Sequence, residues 1–212
     1  AQAYDAFRST MNEEDTEEKA VINFDREYSI ALNEKNGRDA ASSILTTVRV
    51  ENNAQLAIAP YYYFTASIYK GECTSSRVAL MTAKSSDTSL YFAEINGEQV
   101  WKLVENYLDH TENEFSITNQ YELPILSGMK ITVQKEEDGF SLKDITVDQE
   151  EIDKEKEYSI LLTDTTRSIL EKTIPGCRIK QLQDMTLSSA WTAFMEKGQQ
   201  PLAPEDYIEV KK

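Results

Sequence analysis

The sequence predicts an α+β (mixed α/β) fold. Segments with the period-two alternation of strands lie between segments with helical periodicity, and their order does not follow a strict βαβ repeat. The chain has 212 residues, of which 40% are hydrophobic. A chain of this size buries roughly 70% of the surface that it exposes when unfolded, so its core needs no disulfide or metal ion for stability.

The chain is expected to form a single domain over residues 1–212. An acidic N-terminal extension and linker is predicted for 1–37, and the core for 38–212. The extension either begins with a short helix or is a solvated terminus. Because Ala1 is not followed by a basic segment and an apolar segment, the start resembles a trimmed mature end or an excised piece rather than a signal peptide.

The elements of the first half follow from hydrophobic periodicity. An apolar run that ends at Pro60 indicates a buried strand, and an apolar face at helical spacing indicates each helix. Asn96-Gly97 is typical of a turn. The predicted strands are 21–24, 55–59 and 89–95, and the predicted helices are 38–50, 74–80 and 98–109.

The second half begins with strands. Met129, Ile131 and Val133 alternate with polar residues, which indicates a half-buried strand, and Asp138-Gly139 is a hairpin signal. A later apolar stretch followed by Gly198 predicts a helix and its end. The predicted strands are 121–133, 141–147 and 158–162, and the predicted helix is 187–197.

The charge balance excludes several classes of partner. The 22 Lys+Arg against 37 Asp+Glu give a net charge of −15. Nucleic-acid phosphates and anionic membranes are bound by clusters of Lys and Arg, so neither is expected as a partner. A membrane-spanning helix needs about 18 or more consecutive apolar residues, and the sequence contains no such run.

No catalytic constellation is visible in the residues. His110 is the single histidine, so a multi-histidine metal site cannot be built; its place after a predicted helix favours interaction with the helix dipole. Ser127 in Ser127-Gly128 is more typical of a strand or turn than of a nucleophile. Cys73 and Cys177 either form one long-range disulfide or are buried apolar residues. We therefore predict no catalytic residue and no metal ligand.

A run of aromatic residues is the one candidate for ligand binding. Tyr61, Tyr62, Tyr63 and Phe64 have rings that could stack on a planar ligand, although such a run also packs against sheet edges. The acidic stretches 13–18 and 148–157 lack the spacing of a calcium loop and are read as solvated surface.

The order of several segments resembles the C-terminal domain of the 5′-nucleotidases, the periplasmic and ecto-nucleotidase family. Five weak motifs occur in the family's order, including Leu126-Ser127-Gly128-Met129-Lys130 for its "Ser-Gly-Leu-Arg" strand. The other matching stretches are 56–74, 90–100, 145–160 and 191–208. The resemblance implies a mixed sheet with flanking helices.

The resemblance also implies a function. In this family an N-terminal domain holds two metal ions and hydrolyses the substrate, while the C-terminal domain binds the nucleoside. Such a chain binds a nucleoside or nucleotide, needs an N-terminal metallophosphoesterase domain elsewhere in the gene, contains no cofactor itself, and is inactive alone. The implied location is extracellular, periplasmic or on the cell surface, in a bacterium.

The ligand motifs depart from the family pattern. Tyr61, Tyr62 and Tyr63 stand where the family has Asn-Gly-Gly, and Thr65 stands at its arginine. The other candidate positions are Ser86, Thr88 and Thr165. Two aromatic stacking positions are replaced by Ser86 and Thr165. Stacking is worth about 1–3 kcal/mol per ring, so this loss weakens nucleoside binding roughly 30-fold or more.

Three functions follow. The first is nucleoside recognition for a secreted 5′-nucleotidase-like enzyme. The second is a non-enzymatic interaction module that kept the fold and lost the ligand. An exposed apolar patch around residues 61–64 favours the module, and a concave pocket lined by Tyr62, Ser86 and Thr165 favours recognition. The third, a carboxylate glycosidase, requires two facing acids about 5–10 Å apart, which no sequence pattern specifies.

Overall fold

The computed structural model describes residues 20–32, 38–83, 89–109, 120–205 and 207–211. The short helix considered for the N-terminal extension, Ser86, Thr88 and His110 lie outside the described residues. The helices of the described part are α1 (Asp39–Glu51), α2 (Ser75–Ala79), α3 (Gly97–Leu108), α4 (Asp164–Thr173) and α5 (Leu187–Met195), with short 3-10 helices at Tyr61–Tyr63 and Gln120–Glu122.

The strands of the described part fall into three sheets. They are β1 (Ala20–Phe24), β2 (Leu56–Ala59), β3 (Gly71–Thr74), β4 (Ser89–Asn96), β5 (Ile125–Ser127), β6 (Lys130–Glu136), β7 (Gly139–Val147), β8 (Glu150–Glu151), β9 (Glu157–Thr163), β10 (Ile179–Thr186) and β11 (Tyr207–Lys211). The predicted mixed α/β class is confirmed.

The central sheet has five strands in the order β10-β4-β9-β2-β5. β2 and β9 are parallel, with Ile58 opposite Leu162. The other neighbours in this sheet are antiparallel. Every residue of β2 is buried, because both faces of the strand are covered, and this explains its continuous apolar sequence.

Two hydrophobic cores cover the two faces of the central sheet. Successive side chains of a strand point to opposite faces, so Leu56 and Ile58 pack with α3, α4 and the second sheet. Ala57 and Ala59 pack instead with α1, α2 and α5. The amphipathic helix predicted for 98–109 is confirmed as α3, whose apolar face lies in the first core.

The second sheet has four strands in the order β11-β6-β7-β8. β6 and β7 form the hairpin predicted at Asp138-Gly139. The single strand predicted for 121–133 is wrong, because β5 belongs to the central sheet and β6 to the second sheet. Gly128 between them has φ of +76°, a left-handed conformation that favours glycine.

Asn96-Gly97 is the start of a helix, so the turn predicted there is wrong. The Asn96 side chain accepts a hydrogen bond from the Gln99 backbone N–H at 2.9 Å, and the Gln99 side chain accepts one from the Asn96 N–H at 3.0 Å. This reciprocal pair is a capping box. Asn-Gly followed by an apolar periodic run can therefore mark a helix N-terminus.

One α-helix and four strands were not predicted: α4, β3, β8, β10 and β11. Of the α4 side chains, only Thr166, Ile169 and Leu170 are buried. The apolar stripe of this helix is therefore too narrow for hydrophobic periodicity to predict the helix. β10 is an edge strand in which no residue is fully buried, and its polar sequence lacks strict alternation.

β1 pairs with β3 in a two-stranded antiparallel sheet and confirms the strand predicted at 21–24. Ile22 and Phe24 are buried in the second core, although they lie within the predicted extension; the division of the chain at residue 37 stays a prediction. Cys73 is buried in this core, whereas Cys177 packs against the first core. Both are thiols, so the predicted alternative of a disulfide is wrong. Cys73 is a buried apolar residue, as the other alternative predicts, whereas Cys177 is only partly buried.

Residues 202–205 form a strap that lies against α1 and connects α5 to β11. The strap is held by the hydroxyl groups of α1. The Ser42 hydroxyl accepts from the Glu205 N–H at 2.8 Å, the Thr47 hydroxyl accepts from the Leu202 N–H at 2.9 Å, and the Ser43 hydroxyl donates to the Leu202 carbonyl at 2.6 Å. These contacts explain why a buried helix face contains serine and threonine.

Candidate functional site

The candidate site lies at the carboxyl ends of β2 and β9. From these two parallel neighbours the chain continues to opposite faces of the sheet. After β2, Tyr63 and Phe64 enter the second core, whereas after β9, Ile169 and Leu170 of α4 enter the first. Such a divergence is a topological switch point, and the crevice that it opens is where α/β sheets bind ligands.

The tyrosine run forms a self-packed cluster at this switch point. Pro60, with φ of −61°, precedes the 3-10 helix Tyr61–Tyr63. The rings of Tyr61 and Tyr62 meet edge to face with centroids 5.5 Å apart, and those of Tyr62 and Tyr63 meet in the same way at 4.9 Å. These are favourable aromatic geometries, so the cluster stabilises the turn as well as exposing polar groups.

The structure brings three of the predicted site residues together. The Tyr63 hydroxyl lies 2.8 Å from the Thr165 hydroxyl, and the Tyr62 hydroxyl lies 3.4 Å from it. We call Tyr62, Tyr63 and Thr165 the hydroxyl triad. Thr165 is the second residue of α4, whose start is fixed because the Thr166 hydroxyl accepts from the Thr163 N–H at 2.9 Å.

A buried arginine, Arg38, contacts the same cluster. Its guanidinium carbon lies 4.7 Å from the Tyr61 ring centroid, which is cation–π geometry, and it donates to the carbonyl of Tyr121. Arg38 is only 8% exposed. Burial raises the pKa of the nearby Tyr107 phenol well above its ordinary value, and the charges of the neighbouring tyrosines add to the effect.

A second polar cluster lies beside the triad at the first turn of α4. The Tyr91 hydroxyl donates to Asp164 at 3.0 Å, and Arg167 donates to the same carboxylate oxygen at 3.2 Å. The guanidinium carbon of Arg167 lies 5.1 Å from the Tyr91 ring centroid. Burial, followed by the hydrogen bond to Asp164, raises the pKa of Tyr91.

The remaining predicted residues do not join the triad. The Thr65 hydroxyl donates to the Leu80 carbonyl at 2.6 Å, and the Thr65 N–H donates to the Met81 carbonyl at 3.0 Å. Thr65 thus fastens the tyrosine turn to the end of α2. Ser86 and Thr88 lie outside the described residues. The ligand-binding role of all seven residues stays a prediction.

Sequence reasoning missed Arg38, Tyr91 and Arg167 as neighbours of the site. Arg38 and Tyr91 lie at positions that periodicity assigns to a helix and to a strand, whereas Arg167 lies on α4, which was not predicted. Cation–π contacts carry no spacing signature. Arg38 is the first residue of the predicted helix 38–50 and stands directly before α1 in the structure. Arginine is not a preferred residue at a helix start, and this was the available signal.

Ser127 is a structural residue. Its hydroxyl is buried, lies 2.8 Å from the Thr46 hydroxyl, and accepts from the Arg49 side chain at 2.8 Å. The described ranges contain no group of three or more His, Cys, Asp or Glu side chains placed to hold a metal ion. No helix within these ranges is long and apolar enough to cross a bilayer.

A comparison with known protein families identifies the family of this chain. The family model of the 5′-nucleotidase C-terminal domain matches residues 12–168, well over half of the chain. The chain therefore belongs to the 5′-nucleotidase C-terminal domain family, as the segment order predicted. A search of curated proteins finds no match to the sequence.

Solved structures of low sequence identity share the fold. The 5′-nucleotidase precursor of Thermus thermophilus matches 97% of this chain with a TM-score of 0.68 and 14% identity. The NAD nucleotidase of Haemophilus influenzae matches 98% with a TM-score of 0.70 and 14% identity. The sulfate thiohydrolase SoxB of Thermus thermophilus matches 99% with a TM-score of 0.67 and 12% identity.

The chain covers 41%, 41% and 39% of these three structures, respectively. It thus spans about two fifths of the length of the proteins that it resembles. At these identities the similarity concerns the fold alone, and the third match means that the fold is not restricted to proteins named nucleotidases.

Proposed function

We propose that the chain is the nucleoside-recognition domain of a 5′-nucleotidase-like metallophosphoesterase. The observation that carries the proposal is the convergence of Tyr62, Tyr63 and Thr165 at the switch point between β2 and β9. Polar side chains at the carboxyl ends of strands beside a switch point are placed to orient a ligand. Membership of the 5′-nucleotidase C-terminal domain family supports the proposal.

The chemistry of hydrolysis is proposed to lie outside this chain. The described residues do not fit a two-metal site, since they contain no suitable group of acids, cysteines or histidines. Divalent metal ions would polarise the phosphate and activate water in an N-terminal metallophosphoesterase domain. A chain of about two fifths of its relatives' length is consistent with such a partner domain.

Within this scheme the residues at the switch point bind the ligand and orient it. The hydroxyl triad donates and accepts hydrogen bonds, and the packed tyrosines hold its hydroxyls in place. Arg38 supports the cluster from the Tyr61 ring. The parent protein is proposed to act outside the cytoplasm, as the resemblance to periplasmic and ecto-nucleotidases suggests.

Titration calorimetry of the 212-residue chain with adenosine, uridine and AMP tests the proposal. Measurable heat with at least one of them is expected, and Thr165→Val should weaken binding several-fold. Thr146→Val is the matched control, because Thr146 lies on β7 of the second sheet and lines a different cleft, of about 680 Å³, together with Gln55 and Gly128. Absence of binding by every nucleoside and nucleotide tested would overturn the proposal.

The alternative is an interaction module that kept the fold and lost the ligand. It is favoured by one observation: the tyrosine rings contact each other and Arg38. It is disfavoured by the burial of Tyr63 and Phe64, at 3% and 5% exposure, because no open apolar patch exists at those two positions. The calorimetric experiment separates the two functions.

A further inference from the structure

We infer that the cleft at the junction of the central and second sheets binds a neutral polyhydroxyl compound of the saccharide class. This cleft has a volume of about 680 Å³ and is lined in part by Gln55, Asp148 and Gln149. Gln55 directly precedes β2, whereas Tyr61–Tyr63 follows the other end of that strand. The cleft is therefore separate from the proposed nucleoside site.

The cleft lies where three connections of the chain meet. Gln55 ends the connection from α1 to β2, Gly128 joins β5 to β6, and Asp148-Gln149 joins β7 to β8. Small-molecule sites in proteins have volumes of roughly 300–1,000 Å³. The cleft is therefore large enough for a small organic molecule, and the chemistry of its walls determines the class of that molecule.

The charged side chains of the cleft balance one another. Arg49 and Lys130 are positive, whereas Asp148 and Glu205 are negative. Arg49 forms an ion pair with Glu205 at 2.8 Å, and Lys130 forms one with Glu209 at 3.1 Å. A ligand with a net charge would approach a like charge in the cleft, which is costly, and would compete with these ion pairs. The walls therefore favour an uncharged ligand.

Three polar side chains of the cleft have hydrogen-bonding groups that remain available to a ligand. The Gln55 side-chain oxygen accepts from the Ser159 N–H at 3.0 Å, which fixes the orientation of the amide. Among the residues that the structure describes, the Gln55 NH₂ group, the Asp148 carboxylate and the Gln149 amide have no hydrogen-bond partner. They combine donors with acceptors, and the hydroxyls of a saccharide both donate and accept.

The cleft also has an apolar part. Val147, which is half-buried, and Met129, which is 4% exposed, are among its lining residues. A saccharide ring has C–H groups as well as hydroxyls, so it can contact apolar and polar wall at once. Small sites commonly combine apolar surface with a few polar groups in this way.

The turn Asp148-Gln149 is retained at a conformational cost. Its residues have φ angles of +54° and +70°, so both adopt the left-handed conformation that glycine tolerates best. Two-residue hairpin turns with two positive φ angles favour Asn-Gly. Residues in unfavourable backbone conformations cluster at ligand-binding sites. Contact with a ligand explains why an aspartate and a glutamine occupy a turn that suits asparagine and glycine.

The test is saturation-transfer NMR of the full chain with cellobiose, maltose and chitobiose, followed by titration calorimetry with each sugar that binds. At least one of these neutral sugars should bind, in the millimolar range expected of an open cleft. The uronic acid and the 2-amino derivative of that sugar should bind at least about threefold more weakly, since each carries a charge. Absence of binding by all three sugars, or tighter binding of a charged derivative, would overturn the inference.

A variant with the preferred turn sequence separates ligand binding from stability. The double change Asp148→Asn and Gln149→Gly should raise the urea midpoint, because the left-handed strain is relieved. The same change should weaken binding of the neutral sugar at least about fivefold, because a carboxylate acceptor and an amide are lost. Gln134→Ala is the matched control: the Gln134 amide lies on β6 and donates to the Lys135 carbonyl, so its removal should leave the affinity unchanged.

Two results with the double variant would contradict the site. Unchanged affinity for the sugar would mean that the turn does not contact the ligand. A lower urea midpoint would mean that the turn carries no strain for a ligand site to explain. Neither measurement depends on nucleoside binding, so the saccharide site and the proposed function can fail separately.

Discussion

The carbonyl oxygen of Gln55 lies where a side chain on Gly128 would begin: a Cβ at Gly128 would be 2.0 Å from that oxygen. Gly128 is the residue at which the chain leaves the central sheet and enters the second sheet. The close approach fixes the start of β2 against the end of β5, and it depends on the absence of a Cβ.

Gly128→Ala is therefore expected to destabilise the fold by about 2–3 kcal/mol or more, from left-handed strain together with the clash. The matched control is Gly176→Ala. Gly176 has φ of +85°, but a Cβ there would meet nothing within 4 Å, so only the conformational strain of about 1 kcal/mol remains. Urea unfolding of the two variants measures the difference, and equal losses would contradict the close approach.

A second prediction concerns a buried hydroxyl. Thr82 is 2% exposed, and its hydroxyl has no hydrogen-bond partner among the described residues. Replacing a buried, unsatisfied hydroxyl by a methyl group of similar shape removes a desolvation cost. Thr82→Val should therefore be neutral or stabilise the chain by about 1 kcal/mol, as measured by urea unfolding.

Thr166→Val is the control for this change. Thr166 is equally buried, but its hydroxyl accepts from the Thr163 N–H at 2.9 Å and donates to the Thr163 carbonyl at 3.1 Å. Its replacement should cost about 1–3 kcal/mol. If Thr82→Val were destabilised as much as Thr166→Val, the Thr82 hydroxyl could not be an unsatisfied group.

A third prediction concerns Arg49, which is the centre of a polar network. Its side chain is 12% exposed, donates to the carbonyls of Ala54 and Gln55 at 3.0 Å, and forms an ion pair with Glu205 at 2.8 Å. Arg49→Ala should destabilise the fold by about 2–4 kcal/mol, because the carbonyl of the buried Ala54 and the hydroxyl of the buried Ser127 both lose the Arg49 donor.

Lys102→Ala is the comparison for a surface ion pair. Lys102 bonds to Glu98 at 2.8 Å, with both side chains about half exposed, and such pairs contribute at most about 1 kcal/mol. In thermal unfolding, the melting temperature of Arg49→Ala should be far lower than that of Lys102→Ala. Similar melting temperatures would mean that the Arg49 network contributes little to the stability of the fold.

A fourth prediction concerns alkaline pH. The pKa of Tyr107 is raised well above its ordinary value, chiefly by burial and then by the neighbouring tyrosines. Between the unfolded and folded pKa values the folded state binds the extra proton, so the stability falls as pH rises above about 10. Below that pH the contribution is fully present.

Tyr107→Phe should reduce this alkaline loss of stability, and Tyr69→Phe should not, because Tyr69 is 63% exposed. Urea midpoints measured between pH 8 and 11.5 provide the test. The same slope of stability against pH in Tyr107→Phe and in the unmodified chain would remove Tyr107 as its source.

Sequence patterns identified the elements whose packing is simple. β2 is buried on both faces and α3 has one apolar face, so each has a clear period. β10 escaped because an edge strand packs few of its side chains, and α4 escaped because its buried stripe is narrow. The strand over 121–133 was predicted as one because its change of sheet at Gly128 depends on tertiary contacts.

The site was only partly predictable. Tyr62 and Thr165 are 103 residues apart in sequence, so periodicity alone cannot bring them together; the resemblance to a family did. The arginines over Tyr61 and Tyr91 were not predictable in this way, since this family pattern does not specify them.

The strap of residues 202–205 has a consequence for biosynthesis. The serines and threonine of α1 that hold it are made early, and their partners Leu202 and Glu205 are made about 160 residues later. While the ribosome is still translating that interval, α1 cannot satisfy its buried hydroxyls with these partners. The domain is therefore expected to complete its folding only after residues 202–205 have left the exit tunnel, and a nascent chain halted before residue 202 should remain sensitive to protease.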